Sequence, residues 1–282
     1  MNYRVYEDLD HALTSVETAI RPGDEVAVFD QSTDPPRLAD VSLRHPRASF
    51  TACDDNIGFA AAVNRLIRST TSPYLLLLNP DAVVEGPVVG VLAEWLDGHP
   101  DVGLVGPRVV NADGSVQASA RRFPDVSTAV AGRSTWLSGR FPNNWLTRRN
   151  LVGRGASHAL SVDWLAGSCL MVRRELFEQL GGFDETFFLY WEDVDFALRA
   201  RTLGYRCTYL PTVTVKHLGG RSAAIVPRAA IRAFHRSAYH FYAKHCGPIG
   251  RLMMPAARVG LWTRGELRAR QFRANNNRPS LD

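Results

Sequence analysis

Apolar residues recur with two different periods along the first hundred positions of the chain. Leu9, Leu13, Val16 and Ile20 fall at helical intervals, which predicts a helix over Glu7 to Ile20. Pro22-Gly23 stops it, and Glu25 to Phe29 is a short apolar run closing on Asp30, the pattern of a buried strand. Gln31 to Pro36 reads as a polar turn with two prolines. Phe50 to Cys53 is a second short strand, Asp54 to Gly58 a polar connection, and Phe59 to Arg68 a helix. Tyr74 to Leu78 is uninterruptedly apolar and stops at Asn79-Pro80-Asp81, as a central strand would. Pro87 to Leu96 is again helical in pattern, and Val102 to Val105 strand-like.

Alternation of strand, helix and strand predicts an α/β fold containing several parallel strands. In such sheets ligands collect at the carboxyl ends of strands, where Asp30 and Asn79-Pro80-Asp81 both fall. Asp125 to Ser161 has no clean period and reads as a long loop or lid. Beyond it, Val162 to Val172 is a strand interrupted at Ala166-Gly167-Ser168, Arg174 to Leu180 a short helix, and Glu192 to Thr202 a helix. Cys207 to Leu210 and Val213 to Val215 are short strands.

Composition adds bounds. Four scattered cysteines have neither CxxC nor zinc spacing, which favours reduced thiols and a cytoplasmic setting. Acidic residues through the first helix argue against a secretory signal. The most apolar late segment, Ile249 to Trp262, is short and broken by Arg251, Pro255 and Arg258, so no membrane span is expected. The net charge of +5 is unevenly divided: Arg221 onward carries +10 and the remainder −5. Such a tail suits an anionic surface. Ile231, Phe234, Ala238, Phe241 and Tyr242 share helical spacing with Arg228, Arg232, Arg236 and Lys244 between them, a stripe that would either lie on anionic lipid or pack on the body of the protein. No zinc, helix-turn-helix or RNA-binding signature points to nucleic acid.

Four constellations bear on chemistry. Asp81, at a strand end, is placed to hold a divalent cation against a diphosphate, although Asn, Pro and Asp also simply end strands. Glu192, Asp193 and Asp195 open a helix, where the dipole favours acids; the apolar run Phe187 to Trp191 before them would partly dehydrate a carboxylate and suit it to act as a general base. His217 could ligate a metal or be structural, and Gly219-Gly220 could admit a phosphate. Asn56, Gly58 and Asn64 surround a helix start whose small residues allow either a ligand or a neighbouring element to approach.

Taken in order, these residues resemble the inverting family-2 glycosyltransferases of GT-A fold, from about Asn2 to about Ser222. The resemblance implies a mixed, mostly parallel sheet with helices on both faces, a catalytic domain over residues 1–222 whose first strand is truncated, and a basic amphipathic helical extension over 223–282. It implies Tyr3 and Asp30 at the nucleobase, with Asn56, Gly58, Asn64, Asn79 and Arg121 on the donor side. Asn79-Pro80-Asp81 resembles the N-P-D form of the metal motif, making Asp81, with His217, a ligand for Mg²⁺ or Mn²⁺. Trp164, Gly167 and Ser168 resemble the acceptor-facing W-x-x-G-S strand. Glu192-Asp193 resembles the E-D motif, with Asp193 the base and Glu192 and Trp191 on the acceptor side. The combination is most similar to bacterial dTDP-L-rhamnose-dependent rhamnosyltransferases acting on polyprenyl-diphosphate-linked N-acetylglucosamine. That implies a nucleotide-sugar donor, a glycan or polyprenyl-linked acceptor, a place on the inner face of the plasma membrane, and no nucleic-acid partner. Another UDP- or GDP-linked donor, or a non-catalytic nucleotide-sugar-binding module, are the alternatives.

Overall fold

A computed structural model describes residues 1–32, 34–124, 152, 153, 155–219 and 221–276. The chain runs α1 (Tyr6–Glu17), β1 (Val26–Asp30), α2 (Pro35–Arg44), β2 (Ala48–Ala52), α3 (Phe59–Ile67), β3 (Tyr74–Leu78), β4 (Ala82–Glu85), α4 (Val88–Gly98) and β5 (Val102–Val110). It continues through β6 (Ala120–Arg121), β7 (Leu160–Val162), β8 (Trp164–Leu165), β9 (Cys169–Arg173), α5 (Arg174–Gln179), α6 (Glu192–Thr202) and β10 (Arg206–His217). The C-terminal part holds α7 (Arg221–Ile225), α8 (Pro227–His245), α9 (Pro248–Leu252) and α10 (Met254–Asn276).

The main sheet has the order β3-β9-β5-β10-β4, with β7 pairing β10. Among its pairings only β5 with β10 is parallel; the others are antiparallel. The sheet is therefore mixed but not mostly parallel, because β9 runs opposite to both β3 and β5, and β4 and β7 run opposite to β10. β1 and β2 form a separate parallel pair, against which Asn2 makes a single parallel bridge to Asp30.

Side chains alternate across the sheet. On β5 and β9, Leu104, Leu170 and Val172 face α3, α5 and α6, whereas Val105 and Met171 face α4. Both faces are covered, which is why β5 reads as apolar almost without interruption. Phe196 of α6 meets Phe183 edge-on at 5.2 Å and Phe177 at 5.5 Å, anchoring that helix to the core.

Several expected boundaries move. Asp34 caps α2 by accepting the Arg37 N–H, and Pro35-Pro36 open that helix, so the expected polar turn is a helix start. Val102 begins a strand that runs to Val110, and the two expected short strands near the C-terminus of the sheet are one, β10, with an irregularity between Leu210 and Thr214. Of the expected loop Asp125 to Ser161, residues 125–151 and 154 lie outside those described, and Leu160–Val162 is a strand edge.

Part of the apolar stripe of α8 packs on the body of the protein. Phe241 and Phe234 meet Trp191 at 5.2 and 5.7 Å, and Ser237 Oγ donates to the Leu189 carbonyl. Phe241 and Ala238 are buried there, whereas Phe234 stays 37% exposed and Arg228, Arg232 and Arg236 face outward. On its other side α8 meets α10, where Gly265 lies so close to His235 that a Cβ would sit 3.2 Å from it.

Candidate active site

Strand register brings the distant motifs together. β4 runs antiparallel to β10 with Ala82 opposite His217, so Asp81 arrives beside that imidazole. The His217 Nε2 lies 3.2 Å from Asp81 Oδ1 and 3.3 Å from the Asn79 amide nitrogen. Gln117 fixes the other ring nitrogen: its NH₂ donates to the carbonyls of His217 and the Asn111 side chain, which leaves Oε1 as the acceptor 3.0 Å from Nδ1. Nδ1 therefore carries the proton in the neutral ring, and Nε2 offers a lone pair toward Asp81.

Asp81 is buried, and its Oδ2 accepts the Arg221 N–H at 3.2 Å. Burial works against its charge, but His217, which in its protonated form donates to it from Nε2, and that N–H outweigh burial and hold the carboxyl below its ordinary range. The Nε2 lone pair of the neutral ring beside this ionised carboxylate makes the two a donor set for a divalent cation. Among the described residues no group of three or more His, Cys, Asp or Glu forms a complete metal cage. Two protein ligands completed by a diphosphate and water suit Mg²⁺ or Mn²⁺, so the residues fit a cation bound together with substrate.

A short hydrogen-bonded path leads from there to the acidic helix. Leu78 pairs with Cys169, which sets the Asn79 N–H against the Ser168 carbonyl at 3.0 Å. The adjacent Gly167 N–H donates to Asp193 Oδ2 at 3.0 Å. Tyr190 feels the charges of both Glu192 and Asp81, which with burial raise its phenol, so the two acidic motifs border one region. Asp193 is partly open to solvent, whereas Glu192 beside it is buried with Oε2 unpartnered. Burial raises both carboxyls; Asp193 is partly relieved by the Gly167 and Val194 N–H groups and by Arg121, and Glu192 is raised further by the Asp193 charge. The result is a partly open carboxylate raised above the ordinary aspartate range next to a buried acid raised well above the ordinary glutamate range.

The segment before this helix is strained. Tyr190 and Trp191 both adopt left-handed conformations, with φ of 66° and 72°. Each such residue costs on the order of 1–3 kcal/mol, so surrounding contacts must hold the turn, and α8 supplies them.

The remaining candidates divide. Ser168 and Gly167 form the path just described; Trp164 lies next to it with Arg121 over its ring at 5.2 Å. The ring of Trp191 packs on Phe234 and Phe241 of α8. Asn64 is a tie within the protein: both ends of its amide bond the main chain of Phe183, and a Cβ on Gly182 would meet it at 2.5 Å. Gly58 lies against Phe188, whose carbonyl would be 2.5 Å from a Cβ. Asp30 accepts from Asn2, Ser32 and Tyr6, so its carboxylate organises the start of the chain. Asn56 is exposed and accepts the Gly58 N–H, and Tyr3 is half-buried under Arg4.

Sequence reasoning missed Gln117, Tyr190, Arg221 and Asp8. Asp8, on α1, lies 3.5 Å from the Arg221 side chain and is raised by burial and by Asp81. Nothing in the local pattern marks Gln117, which meets His217 only through the fold.

A family model described as glycosyltransferase like family 2 matches residues 21–246. The chain is 32% identical over 252 residues to the N-acetylglucosaminyl-diphospho-decaprenol L-rhamnosyltransferase of Mycobacterium tuberculosis, covering 85% of this chain and 81% of that one. Among solved structures, it superposes on a mannosyltransferase of Pyrobaculum calidifontis in complex with GDP-Man and Mn²⁺ at a TM-score of 0.57 and 19% identity, covering 99% of this chain and 74% of the other. It superposes on GalNAc-T7 with UDP, GalNAc and Mn²⁺ at 0.53 and 14%, covering 83% and 47%. Identities this low carry the fold alone, which is the GT-A fold.

Proposed function

The chain belongs to glycosyltransferase family 2 and is a glycosyltransferase; on that premise we propose that it moves L-rhamnose from dTDP-L-rhamnose to a hydroxyl of polyprenyl-diphosphate-linked N-acetylglucosamine, with inversion. The decaprenol-linked rhamnosyltransferase relative supports this sugar and acceptor. The observation that supports the transfer mechanism is the path Asn79–Ser168–Gly167–Asp193, which ties the strand end that carries Asp81 to the proposed base through two hydrogen bonds.

Asp193 takes the proton from the acceptor hydroxyl as its oxygen attacks the anomeric carbon. The bond from that carbon to the diphosphate breaks at the opposite face, and the diphosphate leaves with the electron pair. The Gly167 and Val194 N–H groups aim the carboxylate, while buried Glu192 keeps the acceptor side dry. Asp81 and His217 would hold Mg²⁺ or Mn²⁺, which when bound would neutralise charge on the leaving diphosphate. Asn79 and Arg121 line the donor side, Trp164 offers a sugar ring an apolar face, and Tyr3, Asp30 and Asn56 shape the nucleobase end. The acceptor would bring the protein to the inner face of the plasma membrane from the cytoplasm. No helix among the described residues is long and apolar enough to cross a membrane.

Incubating the protein and Mn²⁺ with a short-chain lipid-linked N-acetylglucosamine and dTDP-L-rhamnose, UDP-sugars or GDP-sugars tests this reading. Turnover of dTDP-L-rhamnose alone is expected. Turnover of a UDP- or GDP-sugar instead replaces the donor, and donor binding without any turnover marks a binding module.

A further inference from the structure

Among the described residues, a run of exposed apolar side chains lies beyond the expected stripe. Ile249 and Leu252 of α9 are 81% and 83% exposed, and Met253, Val259 and Trp262 are between 56% and 67% exposed. Single exposed apolar side chains are ordinary. Five large ones fall within fourteen positions, Ile249, Leu252 and Met253 on and just after α9 and Val259 and Trp262 three apart in the first half of α10, and together they make an exposed apolar ridge. Their backbone is anchored: the Tyr242 hydroxyl donates to the Gly250 carbonyl, and the Arg232 guanidinium meets Glu266 in a two-pronged pair at 2.7 and 2.8 Å. The ridge is thus held outward by a hairpin whose inner face is already satisfied by α8.

Charge identifies the occupant. Arg251 and Arg258 lie within the ridge, are exposed, and have no carboxylate partner among the described residues. A second protein chain would require matched acids, whereas a lipid surface needs only diffuse negative charge beside an apolar layer. Tryptophan with arginine is the pairing that sits at a headgroup boundary, the ring entering the acyl edge while the guanidinium stays with phosphate.

We propose that the ridge Ile249, Leu252, Met253, Val259 and Trp262, with Arg251 and Arg258, is a docking surface that lays this protein on an anionic phospholipid bilayer. The inference rests on the proposed lipid-linked acceptor and specifies the surface that would meet its membrane. α8 joins this hairpin to the strained turn before Asp193, so the docked helices and the proposed base share one rigid support.

The full-length protein is cosedimented, without donor or acceptor, with vesicles of phosphatidylcholine alone and of phosphatidylcholine with phosphatidylglycerol. Binding to the anionic vesicles only is expected, weakening with added salt. V259E/W262E should lower the partition coefficient about tenfold or more, and R251E/R258E should remove the preference for phosphatidylglycerol. Both variants should keep the parent's melting temperature and its turnover of a soluble acceptor, since none of the four residues touches the proposed site. A parent that binds neither vesicle, variants that bind as the parent does, or a parent dimer that V259E/W262E converts to monomer would each overturn the proposal. Because the cosedimentation itself transfers no sugar, an incorrect donor or acceptor assignment leaves the vesicle-binding outcome unchanged.

Discussion

His245 donates from Nε2 to Asp195 Oδ1 at 2.7 Å, tying the last turn of α8 to the helix that begins with Glu192-Asp193. Lys244 reaches the same oxygen at 2.8 Å and Arg199 takes the other at 2.7 Å. Asp195 is fully buried, so three cationic or hydrogen-bonding groups compensate one carboxylate removed from water. The C-terminal helix is consequently part of the support for the proposed base.

Removing that carboxylate should leave Arg199 and His245 without their acid, while Lys244 keeps Asp184. Asp195→Ala is expected to cost about 3–5 kcal/mol in urea unfolding. A milder replacement, His245→Gln, should lower kcat more than it raises KM. Unchanged stability in Asp195→Ala would show that the cluster is not supporting α8.

Loss of the base should be specific to chemistry. Asp193→Asn is expected to lower kcat on the order of 10²–10⁴-fold while donor binding, followed by calorimetry, stays close to that of the parent. A near-normal kcat would remove Asp193 from its role.

Gln117 fixes the ring orientation of His217 from outside the cation-binding pair. Gln117→Ala should weaken Mn²⁺-dependent nucleotide binding about 10–100-fold, the effect typical of groups that orient a metal ligand. Nucleotide binding measured with Mn²⁺ and with EDTA reads this directly; equal loss in both conditions would point to general misfolding instead.

In the fold, burial and the Asp193 charge hold the Glu192 proton to a pH well above the ordinary glutamate value. The unfolded chain releases that proton near pH 4.3 or so. Between that pH and the raised folded value the unfolded state holds fewer protons, so stability falls as pH rises. Glu192→Gln, which resembles the protonated acid, should gain melting temperature relative to the parent progressively from pH 4 toward the raised value. A constant difference across that range would contradict the buried, protonated state.

Gly58 adopts a φ of +88° and meets the Phe188 carbonyl. Gly58→Ala should therefore destabilise by more than the roughly 1 kcal/mol typical of glycine replacement at positive φ, measured by chemical denaturation.

Local pattern alone determined the elements with strong periods. The helix from Phe59, the strand Tyr74–Leu78 and the helix from Glu192 lie where their apolar spacing puts them, because each buries a face that its own sequence defines. The motifs at 79–81, 164–168, 192–193 and 217 were legible for the same reason: each sits at the end of such an element. Tertiary structure decided what lies between elements. Antiparallel return of β4 and β9, the meeting of Gln117 with His217, and the left-handed turn at Tyr190-Trp191 depend on strand pairing and packing that no local window contains. The direction of the α8 stripe was undecided for the same physical reason. An amphipathic helix shows that it will bury a face, but only the surrounding fold determines whether protein or lipid covers it.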